Sequence, residues 1–594
     1  MFAEKIVDLP EALGDFDHEG FDPGSWQRLP EAVRTALISE GEGALGEALP
    51  ALSATDYLGY TRTGDRASFE AKYFARRRWL NALALAECVE RRGRFLDRIV
   101  DGVWALCEES GWQLPAHNSH ERGKGRQPLP DPDNPVIDLF AAETGAQLAV
   151  LVRLLGDALD DAAAGILERV DRELERRIFA PYLQRHFWWM GRGDEPMNNW
   201  TAWCTQNVLL AGFCRPTSQG VRRKVVEKAL GSLDAFLKDY GDDGACEEGV
   251  LYYRHAGLCL FNAMNVIDGV APGVLKDVWS APKIRNVAEY IVHMHVDGQR
   301  YFNFADSPAV AERCGAREFL FGQAVGSQML TDFAAIDWAA ERALTLPDEI
   351  NLFYRVQAAF AVSALSVHRA KPAQGADVFL PSIGLFVARG ERHAVAVKAG
   401  DNGDSHNHND VGSVIVYRDG RPVLIDVGVE TYTAKTFSAQ RYEIWTMQSA
   451  YHNLPSFEGV MQCDGASYAA RDVTTTFGED VASIEMELGG AYPPEAGVRS
   501  YRRVVRLNRG HGVEIIDRYD GDRAATLSLM MSEKPTLAGG RLVLPSATIA
   551  VDGAGDVTVE AIAVTDARLR QAWPDTLYRV VVPFTGVELH LTIE

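Results

Sequence analysis

The chain of 594 residues carries 60 Lys+Arg against 82 Asp+Glu, a net charge of −22, with 24% charged and 47% hydrophobic residues. Collagen-like, disordered and miniprotein chains are excluded, and a length beyond the roughly 250–300 residues at which one core stops growing predicts two or three domains. The acidic excess argues against a nucleic-acid partner, because such a protein needs a basic footprint to displace counterions from phosphates.

The N-terminus, Met-Phe-Ala-Glu-Lys-Ile-Val-Asp-Leu-Pro, has no basic region, long apolar run or small-residue cleavage signal. No segment approaches the roughly 20 apolar residues of a membrane span, since Leu139–Leu155 is interrupted by Glu143, Thr144, Gln147 and Arg153. The eight cysteines lie far apart without a CxxC pair, as small hydrophobes of a reducing compartment do. These features read as a soluble cytoplasmic protein without a membrane partner, and they leave a homo-oligomer open.

From about residue 28 to 370 the apolar residues recur at helical spacing. Phe74 to Cys88, Val136 to Leu159, Ala162 to Ile178 and Val221 to Tyr240 are rich in the strong helix formers Ala, Leu, Glu and Arg, with breakers such as Gly241-Asp-Asp-Gly244 between helices. No repeat of 20–50 residues is evident, although a toroid of diverged helical hairpins fits a helical half of this length. After Lys371-Pro-Ala-Gln-Gly375 the texture changes to short β-branched runs. Ser413–Tyr417 and Pro422–Asp426 flank Arg-Asp-Gly-Arg as a hairpin; Arg502–Leu507 with Val513–Arg518, and Leu542–Leu544 with Thr548–Val551, follow. The expected fold is multidomain α+β: an N-terminal (α/α) toroid over 1–372, then a C-terminal antiparallel β-sandwich over 373–594.

Three clusters carry chemistry. In Asp401-Asn-Gly-Asp-Ser-His406-Asn-His408-Asn-Asp410, a strand would point His406 and His408 to one face. With Asp426 and His452 they supply ligands suited to zinc, while a hydrogen-bonded polar turn without metal is the plainer alternative. Glu248-Gly-Val-Leu-Tyr252-Tyr253-Arg254-His255 offers phenols for general acid–base work, although paired tyrosines are more often packing residues. Met197-Asn198-Asn199-Trp200-Thr-Ala-Trp203 offers amide donors, and with Trp188 and Trp189 it resembles a sugar-stacking wall, core filling being the alternative.

Taken in this order, Asn-Asn-Trp, Glu-Gly-x-x-Tyr, His-x-His-x-Asp-x-Gly and Asp-x-Gly resemble the heparinase II/III-type polysaccharide lyases. Tyr301-Phe-Asn-Phe-Ala-Asp306 and Arg441-Tyr-Glu-Ile-Trp445 through His452-Asn453 extend the likeness, which spans about residues 185–460. The resemblance implies a toroid joined to a β-sandwich with the site in the cleft between them, and β-elimination of a uronic-acid polysaccharide or oligosaccharide. It implies Asn199 and His406 as stabilisers of the substrate carboxylate, and Tyr252 as the residue that protonates the departing 4-oxygen and, in a syn elimination, removes the C5 proton. Around them, Asn198, Trp200, Glu248, Tyr253, Arg254 and Arg441 would contact substrate. His408, Asp426 and His452 match the family's metal ligands, the ion being structural zinc or another divalent ion that holds the loop presenting His406.

Val250 and Leu251 stand where relatives often have Pro and a small residue, so the choice between Tyr252 and Tyr253 stays open. Proximity of Arg254 would draw the Tyr252 phenol below its ordinary pKa. A cytoplasmic lyase would meet imported fragments, which favours exo-cleavage of short chains. The rivals are a glycoside hydrolase drawing a carboxylate pair from Asp243, Glu247, Glu248 and Asp306, and a non-catalytic carbohydrate-binding protein using the tryptophans. Which uronate is cut is not legible. Arg192, Arg254 and Arg441 alone in the candidate segments favour a substrate with little sulfate.

Overall fold

The computed structural model describes residues 1–121, 125–372 and 374–594, so the expected domain boundary at Ala373 lies outside the described residues. The chain falls into two compact units. The first comprises Met1–Asp239, Arg254–Ala288 and Arg313–Pro372; the second comprises Tyr240–Tyr253, Glu289–Glu312 and Ala373–Glu594.

The first unit is helical, and its helices are those whose periodicity is plain in the sequence: Ala67–Glu90, Leu139–Ala162, Ile166–Leu174 and Gln219–Asp239 cover the expected segments. Local chemistry sets several starts. The Asp138 carboxylate accepts from the Ala141 N–H at 2.7 Å, and Ser53 and Asp56 form a reciprocal capping box on Ala54–Thr63. Leu139–Ala162 packs on Asn199–Phe213, which packs on Gln219–Asp239, and Leu352–Val367 returns to Leu139–Ala162. The result is an (α/α) toroid.

One expectation needs correction here. Leu139–Ala162 is long and apolar enough to cross a membrane by composition, but most of it is buried inside the protein. Two of its polar interruptions find partners there: Glu143 accepts from Asn351 Nδ2 at 2.8 Å, and Gln147 Nε2 donates to Asn81 Oδ1 at 2.7 Å. Buried polar groups paired in this way belong to the core of a globular fold.

The second unit is an antiparallel β-sandwich. Among its described residues, an eight-stranded sheet, a five-stranded sheet and a four-stranded sheet share one apolar core, to which Phe386, Val397, Ile484, Val505, Leu527 and Leu591 contribute buried side chains. The five-stranded sheet runs Val378–Leu380, Leu385–Arg389, His393–Lys398, Val414–Arg418 and Arg421–Leu424. Its last hairpin turns at Asp419 (φ +49°) and Gly420 (φ +73°), the two left-handed positions that the Asp-Gly pair predicts. Val498–Asn508 with Gly512–Gly521 and Arg541–Val543 with Thr548–Asp552 are the other expected hairpins. A short hairpin that helical periodicity missed, His295–Asp297 with Arg300–Tyr301, turns at Gly298 within the nominally helical half. The chain leaves it towards Asp306.

Candidate active site

Gly249 sets the local geometry of the Glu-Gly-x-x-Tyr segment. Its φ is +87°, and a Cβ there would lie 2.5 Å from Ser307 Cβ and 3.0 Å from the Phe304 carbonyl oxygen. Only glycine fits. The next residue starts the helix Val250–Val270, so the two tyrosines of its first turn diverge by about 100°. Tyr253 is fully buried and packs on Tyr290, with ring centroids 6.2 Å apart. Tyr252 instead places its hydroxyl on that of Tyr432 and its ring 4.7 Å from the imidazole of His406.

Asp306 is the hub of the cluster. One carboxylate oxygen accepts from His408 Nε2 at 3.0 Å and Arg441 Nη2 at 2.7 Å; the other accepts from His406 Nδ1 at 2.6 Å and the Tyr432 hydroxyl at 3.0 Å. Its backbone carbonyl accepts from Arg568 Nη2 at 2.9 Å, and that guanidinium stands over the Tyr432 ring at 4.5 Å. Burial raises the Asp306 carboxyl, but His406, His408 and Arg441 outweigh it and hold the group well below the usual carboxylate range. It is an anion surrounded by donors.

His406 and His408 do not lie in a strand, as the expected face-sharing required. They occupy a turn in which His406 has φ +56°, a left-handed conformation that a non-glycine residue rarely adopts. The turn lets both imidazoles reach Asp306 by a different route. It is pinned by Arg441, whose Nε donates to the Asn407 carbonyl at 2.9 Å and Nη2 to the His406 carbonyl at 2.9 Å. Arg441, expected at the substrate, thus directs its donors inward. Glu248, expected there too, accepts from Ser405 Oγ at 2.9 Å and lies 3.5 Å from His406 Nε2. Burial lowers the His406 pKa, but Glu248 and Asp306 outweigh it, so the imidazole is held above its ordinary value and biased towards the cation.

The Tyr252 phenol corrects the sequence reading in the opposite sense. Burial, then the Asp306 charge, raises its pKa above the ordinary value; the hydrogen bond with Tyr432 and the Arg568 guanidinium lower it and are outweighed. The expected lowering by Arg254 is therefore not found. Arg254 is buried in the first unit, with Nε 3.5 Å from Glu318.

His408, Asp426 and His452 form a second, fully buried cluster whose ligand atoms all lie within 4.8 Å of one another. His408 donates through Nε2 to Asp306, leaving Nδ1 buried without a hydrogen-bond partner. His452 Nε2 meets the Thr446 carbonyl at 2.8 Å, so Nδ1 is the atom that faces Asp426 Oδ2 at 2.8 Å. A lone pair facing a carboxylate at that distance needs a proton or a cation between them. The orphaned His408 nitrogen beside that pair favours a cation, and two imidazoles with one carboxylate are a donor set suited to zinc. Thr446, Asp306 and Gly428, whose N–H donates to Asp426 Oδ1 at 2.7 Å, orient the ligands from behind.

The remaining expected residues lie in the first unit. Asn198 caps Asn199–Phe213, its side chain accepting from the Trp200 N–H at 3.1 Å, and Asn199 is buried at the first helical position. Trp200 packs between His117 and Trp188, with centroids 4.7 and 5.1 Å away, whereas Trp189 is buried. No sequence motif marks Tyr432 or Arg568, and the Tyr301–Asp306 segment does not by itself show that Asp306 is the hub.

The chain is a helical toroid followed by an antiparallel sandwich, with a phenol, an imidazole and an ionised carboxylate in one cluster. Residues 372–573 match the family described as Heparinase II/III-like, C-terminal, so for this part of the chain the resemblance read from the motifs holds. The fold is similar to that of the heparan sulfate lyase of Pedobacter heparinus, at 13% identity over 100% of this chain and 87% of that chain, with a TM-score of 0.57. It is similar to heparinase III at 13% identity over 95% and 85% with a TM-score of 0.60, and to a Paenibacillus xanthan lyase at 11% over 95% and 57% with a TM-score of 0.51. At such identities the likeness is one of fold. No curated protein matches the sequence.

Proposed function

We propose that the chain is a carbon–oxygen lyase that cleaves a uronic-acid-containing glycan by β-elimination, leaving an unsaturated uronate. The observation that carries this reading is the Tyr252 phenol held ring against ring with His406 and joined through Tyr432 to one ionised carboxylate, Asp306. The family match over residues 372–573 supports it, as does the recurrence of this fold in proteins named as heparan sulfate and xanthan lyases.

In the elimination the C5 proton passes to a base, its electron pair forms the C4–C5 double bond, and the C4–O bond breaks as the departing oxygen gains a proton. His406, biased towards imidazolium, faces the uronate carboxylate and stabilises the charge that spreads onto it. Asn199 is assigned the matching amide role on the resemblance alone. Tyr252 carries its proton at neutral pH, which suits donation to the departing oxygen. In a syn elimination the Tyr252 proton is first lost to solvent; the phenolate, which the Tyr432 hydroxyl and Arg568 favour, then takes the C5 proton and delivers it to the departing oxygen. A divalent ion held by His408, Asp426 and His452 would supply charge that locks the His406 turn, with no role in the proton transfers.

Two of the four carboxylates on which the hydrolase alternative draws are engaged elsewhere. Asp306 is fully engaged as an acceptor, and Asp243 spends both oxygens on Ser382, one on the backbone N–H at 2.8 Å and one on Oγ at 2.7 Å. Arg441 and Arg568 both point at Asp306, which supports a substrate with little sulfate. Exo-action on short fragments is the finer part of the proposal. A panel of hyaluronan, chondroitin, heparosan and alginate tetrasaccharides and polymers, followed by near-ultraviolet absorbance, tests the whole reading. Unsaturated product supports it, an early run of disaccharides marks exo-cleavage, and saturated product overturns it.

A further inference from the structure

We propose that Phe437 is a sugar-stacking platform that forms a subsite beside His406; this rests on the lyase reading above. Phe437 keeps 50% of its surface exposed, although it stands at the edge of the reacting cluster. Its ring lies 5.0 Å from that of Tyr432 and 5.9 Å from that of His406, both edge-to-face.

The exposure is built rather than incidental. Phe437 ends the short turn Lys435–Phe437, which is closed by the Thr433 N–H on Thr436 Oγ1 at 3.0 Å and the Thr436 N–H on the Thr433 carbonyl at 3.2 Å. Thr436 is buried, and its carbonyl accepts from Arg441 Nη1 at 3.1 Å. The same guanidinium holds Asp306 and the His406 carbonyl. One arginine therefore fixes both the catalytic turn and the backbone that presents the phenyl ring.

The chemistry of the ring defines what it takes. A phenyl face offers no hydrogen bond and no positive charge, so it rewards the C–H face of a pyranose and gives nothing to a sulfate. The occupant is a sugar ring of the uronate oligosaccharide adjoining the residue whose carboxylate meets His406. A sulfate on that face would be desolvated against apolar carbon without a partner.

The experiment compares the parent, Phe437→Ala and Phe437→Trp on unsulfated and sulfated chondroitin tetrasaccharides and on a hyaluronan tetrasaccharide. In parallel, calorimetric titration of the same tetrasaccharides is made on a Tyr252→Phe background. Phe437→Ala should raise KM and weaken binding about tenfold with kcat nearly unchanged, and Phe437→Trp should restore both. The loss should be larger for unsulfated than for sulfated chondroitin. Unchanged KM and binding in Phe437→Ala would overturn the platform alone, as would a fall in kcat at constant KM, which would make the ring a prop for His406. Absence of unsaturated product from the parent on every glycan would remove the lyase reading, and the platform with it.

Discussion

His406 and His408 stand two residues apart and bind opposite oxygens of the same carboxylate, yet they belong to two different kinds of site. Around His406 the cluster is open: the imidazole keeps 15% of its side-chain surface, and Tyr252, Tyr432 and the exposed Phe437 stand beside it. Around His408 the cluster is sealed, with His408, Asp426 and His452 all at 0%. Residue type does not separate the two, since each joins imidazole to carboxylate. Access does. The open cluster holds groups that a ligand can reach and whose protons can move, whereas the sealed one holds groups that can only organise the fold or a trapped cation. Asp306 couples them, so the geometry of the reachable imidazole depends on the buried one.

Removing the open cluster's mobile proton should separate the two regions most sharply. Tyr252→Phe keeps the ring against His406 and deletes the hydroxyl, so turnover should fall by about 10²–10⁴ while circular dichroism and melting temperature hold. Tyr253→Phe, altering the buried neighbour that packs on Tyr290, should retain most activity. The reverse pattern would move the assignment by one residue, and two active variants would end the tyrosine mechanism.

Electrostatic stabilisation should come next. His406→Ala, and Asn199→Ala in the first unit, should each lower kcat by about 10²–10³ with a much smaller change in KM, because their hydrogen bonds tighten as charge builds on the carboxylate. Equal effects on KM and kcat in steady-state kinetics would demote either residue to a ground-state anchor.

The sealed cluster should answer in stability. Elemental analysis should find one divalent ion per chain, and chelation or His408→Ala should lower the melting temperature, the substitution costing about 3–5 kcal/mol through the buried charges left behind. Metal-free protein with unchanged melting temperature and full activity would reduce the cluster to a protonated ion pair.

The smallest expected effect lies at the rim. Burial, with Asp404 and Glu248, pushes the Glu247 carboxyl up from its ordinary 4.5 to about 7. The folded state therefore binds this proton more tightly than the unfolded chain, and the cost of ionising Glu247 grows as pH rises from about 4.5 through about 7. That cost is at most about 3 kcal/mol, reduced by the partial exposure of the side chain. Glu247→Gln should be more stable than the parent at pH 8 and equal to it at pH 4.5 in denaturant titrations. Equal stability at both pH values would remove the shift.

Much of this molecule is legible in one dimension because its causes are local. Helical periodicity marks Ala67–Glu90 and Gln219–Asp239, and Asp419-Gly420 marks the turn of a hairpin, since both depend on residues a few positions apart. His-x-His and Glu-Gly-x-x-Tyr mark candidate chemistry for the same reason, and Gly249 shows why a glycine must precede the tyrosine. The partners of those motifs are another matter. Asp306 meets residues 100, 102, 126 and 135 positions away, and Tyr432 meets Tyr252 across 180. No spacing rule connects them.

What the sequence by itself determined was the two-part α and β architecture and a short list of titratable side chains. The tertiary structure alone decided which phenol joins the cluster, which histidine is reachable and which carboxylate is the hub. It also reversed the expected direction of the Tyr252 shift. The physical reason is common to all four: burial and the placing of charges at a few ångströms set protonation and access, and both are properties of the packed chain rather than of any stretch of it.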